Sequence, residues 1–247
     1  MPDRATDPAH LARYAEVCGL HADPADLPVT YPHVVAFPLA MELMTRRDFP
    51  FPVLGLVHTA NHVERTRPIG TAERLTYRVT TTAPRPHPRG TVFDVTADAT
   101  SGGAVVWRST STYLSRGGRA APRTAGPGHS VPAPAPRRTE TWTLPADTGR
   151  RYAAVSGDRN PIHLHALTAR PFGFRHAIAH GMWTTARCLA ALSTGGLPDA
   201  FGLDVTFRAP VPLPGRVRFT TDGTAFSVRP QEDGARPHLT GRLTPIG

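Results

Sequence analysis

Lysine is absent from this chain of 247 residues: all 28 basic side chains are arginine, and against 19 acidic residues they leave a net charge of +9. An arginine-rich surface draws phosphates and acidic partners. Nucleic acid, coenzyme A and an acidic carrier protein all qualify, and composition does not choose among them. Aromatic residues are few, at 7%, and no basic–aromatic motif accompanies the charge, which makes nucleic acid the weakest of the three. Cysteine is scarce too. Cys18 and Cys188 are too few for a disulfide framework and fit a reducing cytoplasm. No apolar run approaches the ~18 residues of a membrane span. The opening MPDRATDPAHL lacks the basic-then-apolar pattern of a secretion signal. What remains, 40% hydrophobic and 19% charged, is the balance of a globular chain.

One segment has no apolar periodicity. Residues 116–138, RGGRAAPRTAGPGHSVPAPAPRR, are rich in Pro, Gly and Ala and read as an extended linker. It separates residues 1–115 from 139–247, and the two parts resemble each other. YAEVCGL from Tyr14 matches YAAVSGD from Tyr152 at an offset of 138, and Val63, Pro68 and Arg74 match Val205, Pro210 and Arg216 at an offset of 142. A duplication explains two blocks in the same order better than chance does. Each part predicts a short helix (9–18 and 147–155), a longer helix (37–47 and 181–192) and then strands. The strands are expected near 73–82, 90–98 and 104–114, and near 203–209, 215–221, 224–229 and 236–243, from β-branched and aromatic enrichment with alternation. A long helix followed by an antiparallel meander predicts an α+β fold with the sheet wrapped on the helix.

The chemistry concentrates in residues 152–182, YAAVSGDRNPIHLHALTARPFGFRHAIAHGM. Ser156, Gly157, Asp158, Asn160, Pro161 and His163 form a turn-rich loop. An Asp and a His five residues apart on such a loop can converge on one small molecule as base and acid–base group. His180-Gly181 follows at the expected start of the longer helix, where free N–H groups and the dipole favour developing negative charge. A glycine there allows a carbonyl to approach the backbone, as an oxyanion hole requires.

Tyr152, Ser156, Gly157, Asp158, Asn160, Pro161, Ile162, His163, Gly173, Phe174, Ile178, His180 and Gly181 resemble, in order and spacing, the signature of the MaoC-like (R)-specific enoyl-CoA hydratases of the hot-dog superfamily. FRAPVPLPG (207–215) continues the resemblance, and GLVHTANHVERTRPI (55–69) resembles the N-terminal part of the long members that carry two hot-dog repeats. His165 departs from it, standing where a typical member often has Asp, as does the long linker. The resemblance implies a tandem (double) hot-dog: 1–115 a repeat without the catalytic motif, 116–138 the linker, 139–247 the catalytic repeat. It implies reversible hydration of a trans-2-enoyl thioester to the (R)-3-hydroxyacyl thioester. Asp158 and His163 would be the catalytic pair, and Gly181 the carbonyl anchor. Asn160, Ser156, His180 and Arg208 would be substrate-side residues. No metal or redox cofactor is implied, since the thioester itself acidifies C2. The partner would be an acyl-CoA or an acyl-carrier protein, and a homodimer of such chains is compatible.

Blander readings stand beside these. His163, His165, His176 and His180 have spacings that suit a metal, but no Cys or carboxylate motif joins them. Arg208, Arg216 and Arg218 suit phosphates or merely a solvated strand face. Cys188, Met41, Met44 and Met182 read as packing, and His58 and His62 as core or interface residues. Rival functions are a dehydratase acting on carrier-protein thioesters and a non-catalytic acyl-thioester-binding protein. In the aligned first part Leu20 and Ala25 replace Asp158 and His163, and Pro38-Leu39 replaces His180-Gly181. This predicts one active site per chain, with FPLAMELM (37–44) lining an apolar acyl tunnel.

Overall fold

The computed structural model describes residues 4–21, 23, 26–116, 136–232 and 234–247. The first half runs α1 (Pro8–Cys18), α2 (Tyr31–Met44), β1 (Val57–Arg65), β2 (Thr76–Thr81), β3 (Arg85–His87), β4 (Gly90–Ser101) and β5 (Ala104–Arg116). The second runs β6 (Arg138–Leu144), α3 (Thr148–Ser156), α4 (Pro161–Leu164), α5 (Ala166–Ala169), β7 (Ala177–Ile178) and α6 (Gly181–Ser193). It continues with β8 (Phe201–Phe207), β9 (Pro212–Leu213), β10 (Gly215–Thr221), β11 (Ala225–Pro230) and β12 (Leu239–Pro245). Most of the segment read as a linker, 117–135, lies outside the described residues. Its flanks do not: Arg116 ends β5 and Arg138 opens β6, a strand the sequence did not suggest. None of the described helices is long and apolar enough to cross a membrane.

The strands form one antiparallel sheet in the order β2-β4-β5-β1-β8-β12-β11-β10-β6, with β3 on β4, and β7 pairs separately with β9. The α+β hot-dog expectation is met, since each half lays antiparallel strands around its long helix and the halves join at β1–β8. Ten of the thirteen residues of α6 are buried. Burying one large apolar side chain contributes about 1.5–3 kcal/mol, so this helix anchors the core. The Trp183 indole N–H donates to the Val17 carbonyl (2.9 Å), tying α6 to α1.

The long helix of the first half begins at Tyr31 rather than near residue 37. Proline is favoured in a first turn. In the structure Pro32 takes that position and Pro38 lies inside the helix. The alignment of the halves therefore changes. The helix starts Tyr31 and Gly181 are 150 residues apart, so Thr30-Tyr31, not Pro38-Leu39, stands in the place of His180-Gly181. Contacts agree with this. Tyr14 packs near Tyr152 (6.3 Å between ring centroids) and donates its hydroxyl proton to Thr30 (2.8 Å), while Tyr152 packs on His180 (4.8 Å). Relative to the offset of 138 at the tyrosines, the second half is longer ahead of its long helix, and the added chain is the loop carrying Asp158 and His163.

The duplication is visible in register as well. His62 and Asp204 are equivalent at the offset of 142, and they face each other across β1–β8, on the two-fold axis relating the halves. At the sheet edges the Arg4–Leu75 bridge corresponds to the Trp142–Val217 pair of β6 and β10. On the axis His62 Nδ1 lies 2.7 Å from an Asp204 carboxylate oxygen, and this hydrogen bond raises the imidazole to about 9. A raised native value adds stability below the unfolded value of ~6.5 and loses it as pH climbs through about 9. Both side chains are partly exposed, so the contribution is less than about 1 kcal/mol. The melting temperature should decline slightly from pH 6.5 to 9.5, and Asp204→Asn should flatten that decline.

Candidate active site

Helix α3 stops at Gly157, whose φ of 75° lies where glycine is favoured. The loop beyond is tied to itself by short-range bonds. The Asp158 N–H donates to Ser156 Oγ (3.2 Å), the Asn160 N–H to Asp158 Oδ1 (3.1 Å), and the Ile162 N–H to Asn160 Oδ1 (3.3 Å). Asn160 thus caps α4, with Pro161 in its first turn. That single turn presents His163. Its Nδ1–H donates to the Ile178 carbonyl on β7 (2.7 Å), which leaves Nε2 as the nitrogen free to exchange a proton.

His180 closes the arrangement from the other side. Its Nε2–H donates to the Asp158 backbone carbonyl (3.0 Å), and its ring stacks on that of His163 at 3.6 Å with 26° between planes. Burial pushes the His180 imidazole well below its usual value, with the His163 charge opposing it further. His180 is therefore a neutral donor, and its Nδ1 is buried without a partner among the described residues. Burial also lowers His163, while the Asp158 carboxylate and the Ile178 carbonyl act to raise it. One polar atom of each of Asp158, His163 and His180 lies within 4.8 Å of the others.

All seven residues singled out in the sequence, Ser156, Asp158, Asn160, His163, His180, Gly181 and Arg208, line one cavity of about 500 Å³. Gly181 is the first residue of α6, so its N–H has no acceptor within the helix. Its missing side chain also makes room for a neighbouring ring: a Cβ there would come within 2.8–3.1 Å of the Phe207 ring. The glycine lets β8 close on the helix start. The four-histidine metal alternative is not assembled, because His165 and His176 are exposed and line no part of this cavity. His165 instead accepts the Leu167 N–H, capping α5. Of the three candidate phosphate arginines, Arg208 lines the cavity and Arg216 and Arg218, on β10, do not. Cys188 is buried with its thiol held well above its usual value, as inert packing requires.

The first half contributes to this cavity, as the sequence led one to expect of residues 37–44, but of that segment Phe37 alone lines it. The residues the sequence did not mark are His33, His58 and Tyr113, with Arg89 and Arg116 also reaching it. Tyr113 lies close enough to Asp158 to feel its charge. Helix α2 and the strands of the first half bring them to the loop through tertiary packing.

Two hot-dog repeats sharing one sheet, with an Asp–His loop at their junction, define a double hot-dog protein. This chain is 38% identical over 248 residues to 3-hydroxyacyl-thioester dehydratase X of Mycobacterium tuberculosis, covering 96% of this chain and 85% of that protein. The chain belongs to the MaoC-like dehydratase family, and the family model for the MaoC like domain matches residues 126–234. The crystal structure of HtdX from Mycobacterium tuberculosis superposes with a TM-score of 0.84 at 34% identity, over 100% of this chain and 98% of that one. Another protein of that organism, described as having a double hot-dog fold, superposes with a TM-score of 0.54 at 12% identity over 99% and 93% of the two chains, a likeness of fold alone.

A Cβ on Gly149 of α3 would fall 2.0 Å from the His163 carbonyl oxygen, so Gly149→Ala must move the turn that carries His163. The expected cost is about 1–3 kcal/mol of stability. A displacement near 1 Å at the imidazole should also lower kcat by about 10²-fold. Thermal melts and turnover measured on the same preparation check both.

Proposed function

We propose that this chain interconverts trans-2-enoyl thioesters and (R)-3-hydroxyacyl thioesters by adding or removing water. One observation carries the reading: Asp158, His163 and the unbonded first N–H of α6 meet in one cavity large enough for an acyl thioester. We read Asp158 and His163 as the catalytic residues and Gly181 as the anchor of the thioester oxygen. A single well-placed donor of this kind contributes about 2.7–4 kcal/mol to stabilising an enolate-like state.

Asp158 and His163 share one proton in this scheme. In hydration Asp158 accepts a proton from water as its oxygen bonds to C3, and His163 Nε2–H delivers a proton to C2. The charge that passes through the thioester oxygen returns to the new C2–H bond. Dehydration is the reverse: neutral His163 Nε2 removes the C2 proton, and the proton on Asp158 leaves with the C3 hydroxyl as water. The Ile178 carbonyl fixes the tautomer this requires, and burial favours the neutral imidazole from which dehydration starts. The Asn160 N–H holds the Asp158 carboxylate and His180 holds its backbone carbonyl, and Arg208 faces the phosphate-bearing part of the thioester. The scheme calls for no cofactor, because the thioester acidifies C2.

We assign the chemistry to residues 139–247 and give residues 1–115 the role of acyl-chain wall. We read the carrier of the acyl group as coenzyme A, with a carrier protein as the second reading on the strength of the net charge of +9. The two free, buried thiols suit a cytoplasmic enzyme.

Hydration of crotonyl-CoA by the isolated chain, followed as loss of enoyl absorbance with chiral analysis of the product, tests the assignment. Asp158→Asn and His163→Gln should each lower kcat by about 10²–10⁴-fold. Unchanged activity in either variant would remove that residue from the chemistry. Matched CoA and carrier-protein substrates separate the two carriers by kcat/KM.

The coupling has its own readout. The Asp158 charge acts to raise His163, so Asp158→Asn should move the His163 titration, followed by NMR, to lower pH. In the wild-type protein the two limbs of a bell-shaped rate profile belong to the pair rather than to either residue.

A further inference from the structure

The apolar acyl tunnel expected from FPLAMELM is not what the first half builds. Within residues 37–44 only Phe37 reaches the cavity. Met44 packs with Phe93 and Val95 in a separate cluster, joined by Ala40, Met41 and Leu43. What α2 presents to the cavity one turn earlier is His33, and β1 presents His58.

The His58 ring stacks on Tyr113 (4.8 Å, 20°) and tilts against Phe207 (4.8 Å), the ring that closes on Gly181. It therefore stands one aromatic ring away from the point where the thioester oxygen is anchored. The ring's hydrogen bond to the Ala60 backbone leaves Nε2 as a lone-pair acceptor. That atom is buried and has no partner among the described residues. His33 lines the same cavity from α2. The Asn61 amide donates to Ser109 Oγ (2.8 Å), and Ser109 Oγ lies 3.3 Å from His33 Nδ1. A hydroxyl oxygen accepts two hydrogen bonds, so this contact leaves either nitrogen of the neutral His33 ring able to carry the proton. Burial holds His33 at about 4 and His58 at about 3, and the charge of His33 would oppose protonation of His58. At neutral pH the wall thus offers uncharged imidazoles, with the buried His58 Nε2 as an unpaired acceptor.

We propose that this compartment selects acyl thioesters whose chain bears a hydroxyl group beyond C3, the hydroxyl donating to His58 Nε2. A plain alkyl chain would leave the buried His58 acceptor unpaired, which is costly. A carboxylate would be repelled by the lone pair on His58. Sites built to hydrogen-bond a substrate group reject analogues lacking it far more strongly than apolar pockets discriminate by size. The inference rests on the thioester reading given above.

The test is a set of enoyl-CoA substrates of equal chain length, one plain alkyl and the others hydroxylated at successive carbons beyond C3. The wild-type enzyme should favour one hydroxylated isomer over the alkyl chain by about tenfold or more in kcat/KM. His58→Leu should abolish or reverse that ratio, and His58→Gln, which keeps an acceptor, should retain part of it. A wild-type preference for the alkyl chain over every isomer would overturn the proposal, as would an unchanged ratio in His58→Leu. The wild-type ratio decides even if a variant does not fold. If wild-type protein turns over none of the set, the hydratase reading itself fails. Calorimetric binding of the saturated hydroxyacyl-CoA and alkyl-CoA analogues then decides the compartment by the same ratio.

Discussion

A single neutral imidazole holds the site together. His180 donates to the backbone carbonyl of Asp158, stacks on the ring of His163 and caps the helix whose first N–H is Gly181. The loop it secures has only short helical turns of its own, so this latch, together with the Asn160 N–H on the Asp158 carboxylate and the Ile178 carbonyl on His163, fixes the carboxylate relative to the imidazole and the helix start. Charging His180 would cost this arrangement twice, by desolvating a cation and by repelling any proton on His163. Burial removes that option and leaves the residue a neutral donor that positions its neighbours.

The second constraint is the neutrality of His163, and it does not come from the second half alone. Burial is the largest influence on that imidazole. The cavity around it is closed in part by Phe37, His58 and Tyr113 from the first half. On the proposed reading the first half thus has a chemical task although it carries no Asp–His pair of its own: it sets the polarity around His163. The shared sheet enforces this. β1 pairs with β8 over six residues, and β8 ends on Phe207 against Gly181. A shift of one residue between β1 and β8 would turn His58 to the opposite face.

The loop was readable from sequence because its chemistry is local. Asp158, Asn160, Pro161 and His163 define a turn through side-chain bonds to backbone groups two residues away, and such bonds leave a compact motif. The pairing of the halves was readable in part. The offset of 142 that aligns Val63 with Val205 also places His62 opposite Asp204. The start of the first half's long helix was misread, and with it went the expected counterparts of His180-Gly181. His33 and His58 were not read as wall residues. His33 reaches the cavity from the first turn of α2 and His58 from β1, so only the tertiary packing of distant elements brings them together.

On the proposed reading the two halves divide the recognition of one substrate along its length. The loop and helix start of the second half would address the thioester and the two carbons beside it, where charge moves and groups must be placed within fractions of an ångström. The first half would address the rest of the chain, where nothing reacts. It carries Leu20 and Ala25 at the positions aligned with Asp158 and His163, and holds imidazoles on α2 and β1. Imidazoles kept neutral by burial differ from apolar residues of similar size in offering hydrogen bonds without charge. They leave the low polarity that His163 needs nearly intact, whereas charged side chains at the same places would raise or lower that imidazole directly. Selectivity for the remote chain and neutrality at the reacting carbons are thus compatible demands on one wall, and the uncharged state of His33 and His58 satisfies both.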